Sequence, residues 1–345
     1  MKQDKRLINI RKILNQKDRS HIPGVSLLIG ILSGFFVSVF DTVGTNLNTK
    51  ERFITGLIIG SLIPAIYFWF SLQVLRNSYF RKKPYSYLVG ASFVTLMITT
   101  LTIHTLVGLI SFREQVFSEQ ALLTSTLISL VIASSTTIFE TIRRFSGKSV
   151  IIKVLLGKYH QAKTEDIAIL FIDLKSSTSL AELLGSDRFF NFLNEFHSLV
   201  EDFVRLSGGT IYKYLGDGQI VIWETKHLND AFKMIMNLSS TLNSLQEGII
   251  KEYHHPMQFT AGLHCGPTLV GEIGFERREI GYWGTTINIA QRIQSACKEH
   301  DATFLLSEDV YSKLDRVHQN LPNLKRLQDV KLRGLKSTQN LYRAL

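Results

Sequence analysis

Two cysteines in 345 residues, Cys265 and Cys297, with no histidine or cysteine at ligand spacing beside either, exclude a disulfide framework and a zinc ribbon. Internal repeats and low-complexity stretches are absent as well. The C-terminal half has no charge excess: residues 151–345 hold 22 Lys/Arg against 22 Asp/Glu. The formal charge of +10 therefore comes from residues 1–150, with 17 against 7. Those basic residues lie between long apolar runs, so they mark membrane orientation rather than a nucleic-acid partner. At this length the chain holds two modest domains or one large one.

Four segments meet the length needed to span a hydrocarbon core: Val25 to Phe40, Ile54 to Leu75, Leu88 to Ile110 and Ala121 to Phe139. The first follows a polar stretch and lacks an A-x-A-like cleavage site, so it reads as a span and not a signal peptide. Lys/Arg cluster before the first span, between the second and third, and after the fourth. This asymmetry predicts a multi-pass protein of the cell (inner) membrane, with both termini cytoplasmic and membrane lipid as a partner. His104, inside the third span, reads either as a functional ionisable group or as an imidazole bonded to a neighbouring Thr or carbonyl. Pro64 is expected only to kink the second span. Spans three and four are rich in Ser and Thr, which suits helix packing. No paired buried charges suggest a transporter.

The expected organisation is a basic N-terminus (1–22), a four-span transmembrane domain (23–142), a juxtamembrane helical connector (143–164) and a catalytic domain (165–345). In the connector, Val150, Ile151, Val154 and Leu155 recur at helical spacing. That stripe would be buried either against a second copy or on the chain's own soluble domain. Beyond it, strands and helices alternate. A buried strand is expected from Ile167 to Leu174, a helix over Asp187 to Leu206 with Phe190, Leu193, Phe196, Val200 and Phe203 inward, and a hairpin around Gly216-Asp217-Gly218. Helices near Asp230 to Leu245 and Ile287 to Lys298 follow, with strands Gln258 to His264 and Thr303 to Ser307 and a terminal hairpin around Val330 to Arg343. The class is α+β, with helices largely on one face of the sheet.

Two carboxylates stand out. Asp173 interrupts an apolar strand, where an unpaired carboxylate costs several kcal/mol. Asp217 sits at a glycine-flanked hairpin tip. Adjacent strands would place them together, and such a pair suits Mg²⁺, which takes one or two carboxylates plus substrate phosphates. Taken alone, Asp217 also reads as an ordinary turn residue.

FIDLKSSTSLAE (171–182), KYLGDG (213–218), AGLHCGPTLVGEIG (261–274) and WGTTINIAQRI (283–293) resemble, in order and spacing, the class III nucleotidyl cyclase catalytic domain. The resemblance covers slightly over half of the chain. It implies a ferredoxin-like α+β fold and attack of a ribose 3′-hydroxyl on the α-phosphorus of a nucleoside triphosphate, releasing pyrophosphate. Asp173 and Asp217, with the Leu174 carbonyl, match the metal ligands, for two Mg²⁺ or Mn²⁺ ions per site. Asn288 and Arg292 match the transition-state pair, four residues apart on one helix face. Arg333 aligns with a triphosphate-binding residue, with Lys331 and Lys336 close enough to compete. The helix start at Ser176, Ser177 and Thr178 would offer N–H groups to the triphosphate.

Lys213 stands where adenine-using members carry Lys, which favours ATP. The second base-reading position is Gly281, where Asp or Thr is common, so discrimination there must come from backbone, water or Tyr282. The resemblance also implies a homodimer whose metal aspartates and Lys213, Asn288 and Arg292 come from different subunits. The leading expectation is a membrane-bound adenylate cyclase. A guanylate cyclase and a non-catalytic membrane sensor are the alternatives, while the absence of a GG[DE]EF-like tip counts against a diguanylate cyclase.

Overall fold

The computed structural model describes residues 158–344, apart from 275–278, 316–323 and 336, together with scattered helical residues between 87 and 102. These fall in two units, treated separately below. In the first, the hydroxyls of Thr95, Thr99 and Thr102 donate to the carbonyls of Ala91, Thr95 and Ile98, at 2.8, 2.7 and 2.8 Å. Bonding back into their own helix satisfies these hydroxyls without a neighbouring helix. Among the described residues no helix is long and apolar enough to cross a membrane. The first, second and fourth expected spans, the rest of the third, Pro64, His104 and the connector up to residue 157 lie outside the described residues.

The second unit is an eight-stranded sheet carrying helices on both faces. Its elements are β1 (Lys163–Leu174), α1 (Ser177–Leu184), α2 (Ser186–Leu206), β2 (Thr210–Leu215), β3 (Gly218–Glu224), α3 (Leu228–Tyr253), β4 (Phe259–Ile273), β5 (Glu279–Trp283), α4 (Thr285–Ala296), β6 (Phe304–Ser307), α5 (Glu308–Lys313), β7 (Lys325–Val330) and β8 (Gln339–Arg343). The strand order is β2-β3-β1-β4-β6-β8-β7, with β5 paired to β4. Among the described strands only β4 and β6 run parallel.

The two-residue period of β1 divides the core. Ala168, Leu170, Ile172 and Leu174 join a cluster with α1, α2 and α3. Ile167, Ile169 and Phe171 face the other way, with Ile220, Ile222 and Ala290 of α4. Asp173 continues this second series, so it belongs to the face that carries α4.

Several elements depart from their sequence expectations. On α2 the buried residues include Phe192, Phe196, Leu199, Val200 and Phe203, while Phe190 is 66 % exposed. A 100° step per residue leaves Phe190 off the stripe that Phe192 and Phe196 define. The connector was expected to stay helical to 164, yet Lys163 to Asp166 already pair with Val270 to Pro267. Ladder hydrogen bonds to β4 outweigh the helical tendency there. β4 also runs to Ile273 and not His264, through Pro267. Pro267 falls where β4 pairs with β1 but with neither β5 nor β6, a position that tolerates a missing N–H. The terminal hairpin starts earlier than expected, with Val330 as the last residue of β7.

Candidate active site

Asp173 of β1 is paired in register with Gly218, the residue after Asp217. The hairpin between β2 and β3 turns on two residues, because Leu215 pairs with Gly218 and leaves only Gly216 and Asp217 between them. Gly216 has φ +68°, whereas Asp217 is not among the positive-φ residues. A positive φ confined to the first central residue is the type II′ pattern, which matches the right-handed strand twist and favours glycine at that place. The turn therefore carries the Asp217 carboxyl to the end of β1.

The electrostatics show how close the two acids lie. Desolvation, Asp217's charge and a hydrogen bond with Asp217 raise the Asp173 pKa to about 6, while the Leu174 N–H opposes them. A half-buried carboxyl whose ionisation is opposed by a neighbouring carboxylate is suited to a divalent cation, which offsets that charge. Among the described residues no three His, Cys, Asp or Glu side chains cluster as ligands, so protein carboxylates alone fill a minor part of any coordination shell. That donor set fits Mg²⁺ or Mn²⁺ completed by water and phosphate oxygens. Asp173, Asp217 and the Leu174 carbonyl are the groups that would hold it.

The chain leaves β1 through a sharp turn, with the Lys175 N–H donating to Gln258 O at 2.8 Å. Ser176 is the N-cap of α1, but it adopts φ 60°, ψ 33° and its side chain makes no cap hydrogen bond. Sequence alone favours an ordinary serine cap here; the reversal out of β1 imposes the left-handed conformation instead, which costs a non-glycine residue about 1 kcal/mol. The first N–H groups of α1, at Ser177 and Thr178, are thus not occupied by a capping side chain.

Asn288 and Arg292 lie on α4, which is pressed onto β4 at Gly262. A Cβ at 262 would stand 2.7 Å from Ala290 O and collide with the backbone nitrogen of Gln294. Gln294 Nε2 donates to Thr260 Oγ1 at 2.8 Å beside this contact. Asn288 is exposed and Arg292 half-buried. Gly334, at φ +74°, lies against the guanidinium, and a Cβ there would stand 2.6 Å from Arg292 Nη1. The turn carrying exposed Arg333 is thereby brought next to Arg292, while Lys336 is outside the described residues. Lys213 is exposed on β2, opposite Ile220 of β3. Among the described residues no hydrogen bond or ion pair joins Lys213, Asn288, Arg292 or Arg333 to the carboxylate pair.

Position 281 has a physical reason to be glycine. Any Cβ there would collide with Cζ2 and Cη2 of Trp283, two residues on along the same strand face. An indole fills the space that a polar side chain would need. Tyr282 packs edge-on against Tyr212, ring centroids 4.8 Å apart, next to Lys213. Gly218 was expected at the Asp217 tip, whereas Gly262, Gly334 and Trp283 were not singled out in the sequence as site-forming. For Gly262, glycine within a strand was the available signal, and it marks close approach without naming the partner.

The comparisons with known proteins agree with this geometry. Residues 159–343 match the model of the adenylate and guanylate cyclase catalytic domain. Adenylate cyclase 2 of Rhizobium meliloti is 30 % identical over 176 residues, covering 50 % of this chain and 48 % of that protein. An adenylate cyclase of Anabaena cylindrica is 27 % identical over 160 residues, 44 % of this chain and 32 % of that one. The chain thus spans about half the length of the first relative and a third of the second. A bacterial light-regulated adenylyl cyclase shares the fold, with a TM-score of 0.57 at 16 % identity over 65 % of this chain and 66 % of that chain. With an α+β sheet, a carboxylate pair at the β1 end and a family match over more than half its length, this chain belongs to the adenylate and guanylate cyclase catalytic domain family.

Proposed function

We propose that the protein is an adenylate cyclase, converting ATP to 3′,5′-cyclic AMP and pyrophosphate in a homodimer whose two sites are shared between subunits. The observation that carries this reading is the Asp173–Asp217 pair, in which burial and the Asp217 charge disfavour the Asp173 anion, flanked by the backbone turn at Ser176. Divalent ions bound there would lower the pKa of the ribose 3′-hydroxyl and neutralise phosphate charge. The chain's own groups do the rest. The N–H groups at the start of α1 receive phosphate oxygens. Asn288 orients the ribose, Arg292 meets charge developing on the α-phosphoryl oxygens, and Arg333 holds the triphosphate. Lys213 donates to adenine N1, an acceptor that guanine lacks. The exposure of Lys213 and Asn288 in one chain, neither bonded to the carboxylate pair among the described residues, supports completion of each site by the second subunit.

The names of the Rhizobium and Anabaena relatives support ATP as substrate. A guanylate cyclase is the second reading, left open by Gly281, which brings no side chain to the base. We further propose that the four apolar segments of residues 23–142 anchor the protein in the inner membrane with both termini cytoplasmic, on the strength of their length and flanking charge. The test is turnover by the full chain with Mg²⁺ or Mn²⁺ and either ATP or GTP. Cyclic AMP formation that disappears in Asp217→Ala is expected. Equal output from that variant would overturn the site, and preferential cyclic GMP formation would overturn the substrate. Recovery of the full chain in the soluble fraction of lysed cells would overturn the anchor.

A further inference from the structure

One imidazole from α2 meets three residues of the Asp217 hairpin. His197 Nε2 is 3.1 Å from Gly216 O, the Gln219 side-chain Nε2 is 2.5 Å from His197 Nδ1, and the Tyr214 ring stands edge-on to the imidazole at 5.2 Å and 81°. The Gln219 amide can only donate through its nitrogen, so Nδ1 accepts and the proton sits on Nε2, where it is donated to the Gly216 carbonyl. Gln219 is 1 % exposed, and its Oε1 has no hydrogen-bond partner among the described residues. Burying that oxygen unsatisfied is costly, and an apolar side chain would fill the space without the penalty. The amide is thus spent on setting the tautomer of His197.

The bond to Gly216 O matters because of the turn type. Type I′ and type II′ turns differ in the orientation of the central peptide, here Gly216–Asp217. The I′ form requires φ > 0 at both central residues, the II′ form only at the first. Gly216 permits either, and flipping that peptide would move Asp217 to positive φ and swing its carboxylate away from Asp173. Holding the Gly216 carbonyl holds the peptide.

We propose that His197, with its tautomer fixed by Gln219, is a positioning residue that locks the Gly216–Asp217 peptide and so pre-sets the Asp217 carboxylate for a divalent cation. This rests on the metal-site reading above and extends it to residues that touch neither ion nor substrate. The experiment is Mn²⁺ titration of the full-length protein, read by the electron paramagnetic resonance signal of free Mn²⁺, alongside thermal melting without metal. The variants are His197→Phe, His197→Gln, Gln219→Met and, as control, Asp217→Asn. His197→Phe keeps the ring volume but loses the donor, and is expected to weaken Mn²⁺ binding about tenfold, the worth of one neutral hydrogen bond. His197→Gln places an amide N–H where Nε2 was and should recover most of that loss. Gln219→Met, which frees the tautomer, should fall between.

A purely structural role predicts a lower melting temperature with Mn²⁺ affinity unchanged, and affinity within twofold of wild type in His197→Phe and Gln219→Met overturns the proposal. Should His197→Phe fail to fold, Gln219→Met decides by the same criterion. If Asp217→Asn binds Mn²⁺ like the wild type, the metal site itself is wrong. Loss of binding in Asp217→Asn alone refutes the latch and leaves the site standing.

Discussion

The Asp173 carboxylate occupies the space above Gly218, where a Cβ would stand 2.7 Å from its Oδ1. The strand register forces this, since Asp173 and Gly218 are paired across β1 and β3. Gly218→Ala should therefore push Asp173 away from Asp217, with a small adjustment of the sheet at the Ile172 carbonyl, which that Cβ would approach to 3.1 Å. We expect at least a tenfold loss of cyclase activity at subsaturating Mn²⁺, partly restored at high Mn²⁺, with a melting temperature within a few degrees of wild type. Undiminished activity would show that the carboxylate need not lie there.

Two groups give opposite pH slopes to stability. Asp173 has its native pKa raised from 3.8 to about 6 by burial and by Asp217. Its contribution is fully present below 3.8 and is lost as pH rises through 6, amounting to about 1 kcal/mol once its partial exposure is discounted. A divalent cation removes this loss. In the absence of metal, Asp173→Asn should thus melt higher than wild type at pH 7, and Mn²⁺ should raise the wild-type midpoint at pH 7.5 but hardly at pH 5. Melting curves with and without Mn²⁺ at both pH values check this.

His264 works in the other direction. Burial lowers its pKa from 6.5 to about 4, with its Nδ1 2.8 Å from Ser307 Oγ. Its contribution is full above 6.5 and declines as pH falls toward 4, by an amount on the order of 3 kcal/mol. Replacing His264 with Asn should lower stability at neutral pH and flatten the stability profile between pH 6.5 and 4. A profile as steep as wild type in chemical denaturation would assign the acid limb to other groups.

Gly262 seats α4, because a side chain there would meet the helix backbone at Ala290 and Gln294. Backbone cannot yield as a flexible side chain does. Gly262→Ala should cost about 1 to 3 kcal/mol, as overpacking does, and reduce turnover more than binding by shifting Asn288 and Arg292. Urea denaturation and the separation of kcat from KM test the two halves of this statement.

Lys213 is exposed on β2, so Lys213→Glu should leave the fold intact. Replacing an adenine donor by an acceptor is expected to lower kcat/KM for ATP about a hundredfold and raise relative use of GTP. An unchanged ATP to GTP ratio would show that Lys213 does not read the base.

The carboxylate pair was legible in sequence because an acid in an apolar strand is improbable without a use, and the adjacent hairpin brings to it an Asp217 that alone would pass for an ordinary turn residue. The α2 stripe was read one position off at Phe190, since helical periodicity fixes a face only to within a residue or so at its edges. β4 was read as ending at His264, because Pro267 looks like a terminator unless one knows which neighbours flank the strand there.

Sequence by itself determined the alternation of β1, the hairpin tip and the spacing of Asn288 and Arg292, since each follows from local geometry with a fixed period. Only the tertiary structure decided why Gly281 and Gly334 bear no side chain, which groups hold the Gly216 carbonyl and how α4 meets Gly262. Those are contacts between residues distant in the chain, and no local period encodes what will stand opposite an empty Cβ position.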